Sequence, residues 1–162
     1  MKLSEILKTS LIKTPLKSSN KEGVLSELAE IASAVTSAIT KLEILESLQA
    51  RERQGPFSMG KSVSFPHIRT EKVQNIVIVL GTCPNGVDFN APDKGLTKVA
   101  ILCIVPKSDS DLYLKTLAGF LNYFASEINL LEIAKSKTPT EVVKHFSEWE
   151  ANLGMYQTSS AK

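Results

Sequence analysis

The sequence contains no hydrophobic run long enough to cross a membrane. Its longest apolar stretch, Val99 to Val105, falls far below the roughly 20 residues that a spanning helix requires. The amino-terminal segment MKLSEILK interrupts its hydrophobic residues with charged ones, which excludes the continuous apolar core of a signal peptide. We therefore expect neither a secretory signal nor direct insertion into a membrane.

Cysteine is also scarce, and neither of the two cysteines has the setting of a functional site. Cys103 lies within the apolar run, and Cys83 precedes a proline, with no CxxC spacing and no nearby histidine that would complete a zinc site. Cys83 also lacks a basic neighbour in the sequence that would lower its pKa and activate it as a nucleophile. The composition therefore predicts reduced thiols, a cytoplasmic location, and no metal or other cofactor.

Neither sign of charge dominates the sequence. The chain carries 19 lysines and arginines against 17 aspartates and glutamates, a formal net charge of +2, and the two signs are interspersed. A protein that binds nucleic acid would show a continuous cationic stripe, and this sequence has none. The charge pattern therefore favours a protein partner or a small ligand over nucleic acid.

Internal repeats and low-complexity segments are absent too, so no pattern divides the 162 residues into smaller units. An apolar content of 43% is enough for one sizeable core in a chain of this length. We predict a single domain over residues 1–155, followed by a flexible tail at 156–162, whose residues are mostly small and polar.

Helical signals are present in the first and last thirds of the chain. Ser19 with Glu22, and Thr40 with Glu43, have the spacing of capping boxes, so a helix is predicted from each pair. The second helix is expected to bury a stripe of leucines and to end at Arg51-Glu52-Arg53. The predicted stripe consists of Leu42, Leu45 and Leu48.

Three more helices are predicted after residue 105, because capping residues and helical periodicity return there. They begin at Asp109 or Ser110, near Leu130, and at Thr138. The first of them carries Tyr113 on its apolar side.

Three short runs of β-type residues lie between the helical regions, at 62–65, 75–80 and 98–105. The last two are apolar almost throughout, which is typical of strands that are buried on both faces and covered by helices on each side. A further strand is predicted at 11–16, at the edge of the sheet, because Pro15 cannot donate to a central ladder. The sequence thus predicts an α/β fold, a three-layer α-β-α sandwich with a mixed central sheet.

The two histidines differ in their surroundings. His145 falls on the flank of the last predicted helix, off its apolar stripe, so a solvated surface position is expected. His67 follows a predicted strand and a proline, which places its imidazole where the strand becomes a loop. Such strand-end loops hold exposed side chains on a rigid support and bind ligands in many α/β proteins. His67 is therefore the candidate functional residue.

Phosphoryl acceptance is one reaction that His67 could perform. The ring then needs one nitrogen free of a proton, and the anionic group needs a cation or N–H donors beside it. Three arginines are candidates for that cation, namely Arg51, Arg53 and Arg69.

Small residues before His67 offer a second source of N–H donors. Backbone amides around Gly60 could approach a phosphate, since the flanking residues are small. These flanking residues are Ser58, Ser62 and Ser64. An ordinary turn explains the same composition, so the residues alone leave both interpretations open.

The segment from Arg51 to Thr70, RERQGPFSMGKSVSFPHIRT, resembles the active-site segment of enzyme IIA proteins of the bacterial phosphotransferase system, in the fructose, mannitol and nitrogen-regulatory family. The resemblance extends to NIVIVL, to GVDFNAPD at Gly86 to Asp93, and to VAILCIVP followed by a helix with DLYLKTL. It covers nearly the whole chain.

The resemblance implies that His67 takes a phosphoryl group from the phosphocarrier protein HPr. An arginine sixteen residues earlier usually faces the phosphohistidine in this family, which implies Arg51 rather than Arg53 or Arg69. A second histidine usually opens the helix after the VP turn, and this chain has Tyr113 there. Tyrosine can donate a hydrogen bond that orients a phosphoryl group, but it does not become a cation near neutral pH.

Three functions follow from this resemblance. The first is a phosphotransferase component that carries a phosphoryl group from HPr, through His67, to a IIB domain of a sugar phosphotransferase system. The second is a regulatory protein, similar to the nitrogen-regulatory members, whose binding to a target is switched by phosphorylation of His67. The third is a relative that binds partners without being phosphorylated; Tyr113 favours it, while the presence of both His67 and Arg51 argues against it.

Overall fold

Two long antiparallel strands form the centre of the sheet in the computed structural model, which describes the backbone of residues 2–160 and the side chains of residues 2–154. The strands are β1 (Ile12–Lys13), β2 (Val63–Ser64), β3 (His67–Thr70), β4 (Val77–Val87) and β5 (Thr97–Pro106). The central pair is β4 and β5; β1 lies parallel along the outer side of β4, and β2 and β3 both lie parallel along the other side of β5. The predicted mixed sheet is confirmed.

Helices cover both faces of this sheet. They are α1 (Leu3–Ile6), α2 (Lys21–Val35), α3 (Lys41–Glu52), α4 (Ser110–Phe124), α5 (Glu127–Lys135) and α6 (Pro139–Ser160), with a 3₁₀ turn at Thr9–Leu11. The side chains of β5 alternate between two cores: Cys103 and Val105 pack with residues of α4, α5 and α6, whereas Leu102 and Ile104 pack with residues of α2 and α3. The predicted three-layer α-β-α sandwich is confirmed.

The first two long helices begin at side-chain caps. Thr40 Oγ1 accepts a hydrogen bond from the amide of Glu43 at 3.1 Å and donates to its carboxylate at 3.1 Å, so the predicted cap at Thr40 is formed, with Glu43 bonded to the threonine hydroxyl. At α2 the cap is Asn20 rather than Ser19, because Asn20 Oδ1 accepts from the amide of Gly23 at 2.8 Å.

The leucine stripe predicted on α3 is wrong at Leu42, which is 65% exposed. The buried residues of α3 are Ile44 and Leu48, which lie one turn apart on the same face of the helix. This helix packs against β3, so its last turn, which contains Arg51, lies beside that strand.

The strands differ from the predicted runs mainly in extent. The run at 75–80 continues as β4 to Val87, with an irregularity in its pairing between Thr82 and Val87. The runs at 11–16 and 62–65 are each reduced to a two-residue strand, β1 at the edge of the sheet and β2 beside β5. The sequence pattern does not predict β3, because Pro66 interrupts it, yet the short strands on either side of this proline both pair with β5.

The last helix is helical in its backbone through Ser160, so it overlaps the segment 156–162 for which the sequence predicts a flexible tail. Residues 161 and 162 lie outside the described residues, and both the flexibility of this segment and the domain boundary at residue 155 stay predictions. Within residues 2–160, no helix combines the length and the apolar character that crossing a bilayer requires.

Candidate functional site

His67 is the first residue of β3 and directly follows Pro66. The carbonyl of Pro66 accepts a hydrogen bond from the amide of Cys103 at 2.9 Å, and His67 pairs with Cys103 in the parallel ladder. The expectation that His67 stands where a strand becomes a loop is therefore wrong, because proline lacks only the N–H and its carbonyl still joins the ladder. The backbone beneath the imidazole is held by the sheet.

Both ring nitrogens of His67 have hydrogen-bond partners that set its tautomer. Nδ1 lies 3.1 Å from the carbonyl oxygen of Phe65, which can only accept, so Nδ1 carries the hydrogen. Nε2 then keeps its lone pair and accepts a hydrogen bond from Nε of Arg51 at 3.3 Å. The nitrogen that faces Arg51 is therefore the nucleophilic one.

The imidazole is half-buried, and this burial is the largest cause that lowers the pKa of His67 below its ordinary value of 6.5. The hydrogen bond to the Phe65 carbonyl raises the pKa, and the positive charges of Arg51 and Arg69 lower it further. The neutral ring, with Nε2 unprotonated, is therefore the form that is present at neutral pH.

Arg51 reaches His67 from the last turn of α3. Its Nη1 donates to the carbonyl of Gly55 at 3.2 Å, and its guanidinium carbon lies 5.9 Å from the centre of the Phe57 ring. These contacts hold the guanidinium beside Nε2 of the imidazole. Arg53, in contrast, lines a separate open depression of about 660 Å³ that does not include His67. The structure thus brings Arg51, and not Arg53, to the imidazole.

The ring of Tyr113 packs face to face with the imidazole of His67. The ring centres are 4.7 Å apart, and the planes make an angle of 28°. Tyr113 lies near the start of α4, where the capping carboxylate of Asp109 accepts from the amide of Leu112 at 3.1 Å. Burial raises the pKa of Tyr113 to about 12, so this residue is a neutral stacking partner. The hydrogen bond that Tyr113 could donate to a phosphoryl oxygen stays a prediction.

Arg69 completes the group of side chains around His67. The family resemblance had implied Arg51, rather than Arg69, as the arginine that faces this histidine. Its Nη1 donates to Oγ of Ser110 at 3.2 Å, and its guanidinium carbon lies 5.9 Å from the centre of the Tyr113 ring. Arg51, His67 and Arg69 together line an open depression of about 410 Å³. The sequence did not place Arg69 beside His67 because it did not predict β3, in which these alternate residues share one side of the strand.

Two polar residues of the same depression, Ser47 and Gln54, escaped the sequence analysis. Ser47 lies four residues before Arg51 on α3, so helical spacing places it on the same face once Arg51 has been identified. Gln54 follows the end of α3, and no sequence pattern distinguishes it from an ordinary surface residue.

Residues 57–65 form a tight hairpin that leads into β3. The amide of Phe65 donates to the carbonyl of Phe57 at 3.0 Å. At the tip, Gly60, Lys61 and Ser62 have φ angles of 83°, 55° and 65°. Two of these residues are not glycine, so the tip holds a backbone conformation that L-residues rarely adopt. The hairpin contains Phe57, whose ring lies beside the guanidinium of Arg51, and Phe65, whose carbonyl orients the imidazole of His67.

The polar groups of this hairpin are used within the protein. The amide of Gly60 donates to Oγ of Ser58 at 3.2 Å, and the amide of Lys61 donates to the carboxylate of Asp93 at 3.0 Å. The buried hydroxyl of Ser64 shares a hydrogen bond of 2.6 Å with a threonine at the start of β5. Of the two interpretations that the residues left open, these hydrogen bonds favour the turn, because the amides of Gly60 and Lys61 shape the hairpin.

The other histidine and the two cysteines do not have the setting of a reactive group. His145 is half-buried rather than solvated, with Nδ1 3.4 Å from a carboxylate oxygen of Glu132. Cys83 and Cys103 are free and buried, and burial raises their pKa to about 11 and about 12, so neither is a reactive thiolate. In the part of the chain that the structure describes, His, Cys, Asp and Glu form no group of three that could hold a metal ion.

Residues 5–149 match the family described as Phosphoenolpyruvate-dependent sugar phosphotransferase system, EIIA 2. The chain is 24% identical over 149 residues to the PTS system fructose-specific EIIA component of Haloferax volcanii, a match that covers 90% of this chain and 97% of that protein. It is 25% identical over 118 residues to the PTS system fructose-specific EIIABC component of Bacillus subtilis, which covers 73% of this chain but 19% of that longer protein.

Solved structures share the fold. The nitrogen regulatory protein IIA-Ntr from Neisseria meningitidis aligns with a TM-score of 0.82 at 22% identity, covering 89% of this chain and 98% of that one. The enzyme IIA for mannitol from Escherichia coli, determined in complex with phosphorylated enzyme IIB for mannitol, aligns with a TM-score of 0.75 at 18% identity, covering 88% and 97%. At these identities the likeness establishes the fold alone.

Proposed function

The chain belongs to the EIIA 2 family of the phosphoenolpyruvate-dependent sugar phosphotransferase system, and we propose that it carries a phosphoryl group on His67. The observation that carries this proposal is the state of the ring. Nδ1 holds its hydrogen against the carbonyl of Phe65 at 3.1 Å, while the lone pair of Nε2 faces Arg51 at 3.3 Å. An imidazole in this state can attack phosphorus without first losing a proton.

The phosphoryl donor is the phosphohistidine of an HPr-type phosphocarrier protein. The lone pair of His67 Nε2 forms the new N–P bond in line, while the N–P bond of the donor breaks and its electron pair returns to the donor imidazole. The hydrogen on Nδ1 of His67 stays in place against Phe65 throughout, so His67 neither gains nor loses a proton in the transfer.

Arg51 stabilises the anionic group once it is attached. When phosphorus occupies the position in front of Nε2, the guanidinium turns its N–H groups to the phosphoryl oxygens and makes charge-assisted hydrogen bonds there. The contacts of Arg51 with the Gly55 carbonyl and the Phe57 ring keep the guanidinium within reach during this change.

The phosphoryl group then passes from His67 to a IIB domain of a sugar phosphotransferase system, which makes the chain a phosphotransferase component. The complex of enzyme IIA with phosphorylated enzyme IIB for mannitol, whose IIA partner has the fold of this chain, supports a protein partner of this kind. The buried free thiols of Cys83 and Cys103 fit the cytoplasm as the compartment in which the transfer takes place.

A regulatory protein is the second candidate, and Tyr113 favours it. The neutral ring stacked on His67 does not become a cation near neutral pH, so it supplies no positive charge to assist onward transfer. A persistent phosphohistidine suits a signal. The exposed side chains of Leu114, next to Tyr113, and Met59, in the hairpin, offer apolar contacts that an added negative charge would weaken.

Phosphorylation is tested by incubating the protein with phosphoenolpyruvate, enzyme I and HPr and measuring its intact mass. We expect the addition of one acid-labile phosphoryl group, which His67→Ala abolishes and His145→Ala retains. Arg51→Gln should slow the transfer roughly a hundredfold, the scale expected for one charge-stabilising donor, with Arg53→Gln as a matched control. An unmodified wild-type protein, or a modified His67→Ala variant, contradicts the proposal.

The two candidate functions are separated by adding purified IIB domains to the phosphorylated protein. Transfer of the phosphoryl group to a IIB cysteine supports the carrier. A phosphorylated protein that charges no IIB domain, but binds a partner with an affinity that phosphorylation changes, supports the regulator.

A further inference from the structure

The site contains a second arginine whose hydrogen-bonding capacity is only partly used. Nη1 of Arg69 donates to Oγ of Ser110 at 3.2 Å, and the residue is exposed. A guanidinium has five N–H donors in a planar fork, so the bond to Ser110 leaves donors for a further ligand. Arg69 is therefore an exposed cation that keeps N–H donors for a further ligand.

The strand and the stacked tyrosine place this guanidinium beside His67. His67 and Arg69 are alternate residues of β3, so their side chains leave the same side of the strand. The centre of the Tyr113 ring is 4.7 Å from that of the imidazole and 5.9 Å from the guanidinium carbon of Arg69. Both residues also line the open depression that contains Arg51.

We propose that Arg69 and Arg51 together bind the phosphoryl group of phosphorylated His67, an inference that rests on the proposed function. A phosphoryl group has three oxygens and carries close to two negative charges, so it can accept hydrogen bonds from two guanidinium groups at once. Tyr113 supplies no positive charge near neutral pH. Arg69 supplies it instead, and an arginine keeps its charge across the physiological pH range.

If Arg69 has this role, its removal should change the equilibrium of phosphoryl exchange with HPr as well as the rate of transfer. A residue that contacts the phosphoryl group stabilises the phosphorylated state, so its removal shifts the equilibrium of phosphoryl exchange between HPr and this protein. A residue that only docks HPr speeds both directions equally and leaves that equilibrium unchanged. The experiment mixes phosphorylated HPr with each variant at concentrations where the complex is dissociated and measures both phosphorylated species by intact mass.

Arg69→Gln should shift the equilibrium toward phosphorylated HPr by roughly tenfold, the lower end for a hydrogen bond between charged groups. Arg69→Lys keeps the charge without the planar fork and should shift it less. Arg53→Gln, which removes an arginine outside the cluster, should leave it unchanged. Thermal unfolding checks that each variant is folded, as the exposed position of residue 69 leads us to expect.

A folded Arg69→Gln variant with the wild-type equilibrium overturns the role of Arg69, even if its rate is lower, and leaves the phosphorylation of His67 standing. A wild-type protein that takes no phosphoryl group from HPr overturns both proposals. The two failures are therefore distinguishable in the same assay.

Discussion

The imidazole of His67 lies face to face with the ring of Tyr113, with 4.7 Å between the ring centres and 28° between the planes. This contact restrains the plane of the imidazole, while the hydrogen bond of Nδ1 with the Phe65 carbonyl restrains its rotation. Tyr113 is 7% exposed and belongs to the core beneath α4, so one residue serves both the packing of the domain and the orientation of the candidate nucleophile.

Ring packing and the hydroxyl group of Tyr113 can be tested separately. We expect Tyr113→Phe to be phosphorylated by HPr at nearly the wild-type rate, since it keeps the stacked ring. Tyr113→Ala should lower the free energy of unfolding by about 3 kcal/mol, because it opens a cavity in the core, and should slow phosphorylation as well. Urea unfolding and initial rates provide the two measurements. A Phe variant as slow as the Ala variant would assign the effect to the hydroxyl group.

The layers of the fold could be predicted from the sequence because β4 and β5 are apolar on both faces. Only helices on each side of the sheet bury such strands, so composition determined the architecture. β3 could not be predicted, because Pro66 interrupts the strand pattern and its pairing with β5 depends on the carbonyl of that proline. A local sequence pattern does not reveal that a proline continues the hydrogen-bonded ladder through its carbonyl while it lacks the N–H.

Most residues of the candidate site could be predicted from the sequence, but the contacts between them could not. Arg51 was identified through family resemblance, since helix spacing gave no reason to prefer it to Arg53. The position of Arg69 beside His67 required β3, and the bond from the Lys61 amide to Asp93 joins residues 32 positions apart. Contacts of that range depend on how the chain packs, so no local pattern indicates them.

The titration of His67 provides a direct test of its environment. Burial, followed by the charges of Arg51 and Arg69, lowers its pKa below 6.5, so the folded protein binds this proton less readily than the unfolded chain does. As the pH falls below 6.5, the unfolded chain gains this proton before the folded protein does, so the free energy of unfolding decreases. We expect an NMR titration to show this lowered pKa, and Arg51→Gln to raise it without restoring 6.5, because burial is the largest cause.

The chain has only two histidines, so His145→Ala assigns the two imidazole signals without further experiments. A pKa of His67 at or above 6.5 in the wild-type protein would show that the ring is not buried as described. An Arg51→Gln variant with an unchanged pKa would show that its guanidinium does not lie beside Nε2.

Glu27 on α2 is predicted to make the free energy of unfolding depend on pH in the acidic range. Its carboxylate accepts hydrogen bonds from the amides of Lys17 at 3.0 Å and Ser18 at 2.9 Å, and from Nζ of Lys13 at 2.9 Å. Burial raises its pKa, but these bonds to the charged form outweigh burial and lower the pKa from 4.5 to about 2. The stabilisation is therefore complete above pH 4.5 and is lost as the pH falls toward 2.

Glu27→Gln should lower the free energy of unfolding at neutral pH by about 2 kcal/mol. Its difference from the wild-type protein should shrink as the pH falls from 4.5 toward 2, because both proteins then lack the charge. Glu30→Gln, which removes an exposed carboxylate from the same helix, is the matched control for urea unfolding across this pH range. A difference between wild type and Glu27→Gln that stays constant with pH would contradict the prediction.

Asp93 connects the loop between β4 and β5 to the hairpin that leads into β3. Its carboxylate accepts hydrogen bonds from the amides of Gly95 at 2.9 Å and Lys61 at 3.0 Å, and these two bonds, in that order, lower the pKa of Asp93. The second bond holds the tip of the hairpin, where Lys61 and Ser62 adopt positive φ angles. The carboxylate of Asp93 is thus bonded to its own loop and to the hairpin, so we expect its effect on phosphorylation to pass through the hairpin.

We therefore expect Asp93→Ala to speed hydrogen exchange at the Lys61 amide and to slow phosphorylation by HPr several-fold, because a looser hairpin holds the carbonyl behind the imidazole less firmly. The equilibrium of phosphoryl exchange should stay at its wild-type value, in contrast to that of Arg69→Gln, since no contact with the phosphoryl group is lost. Asp88→Ala removes a carboxylate that accepts from the Asn90 amide in the same loop and should change neither quantity. If the Lys61 amide exchanges equally fast in the Asp93→Ala variant and the wild type, the carboxylate does not hold the hairpin.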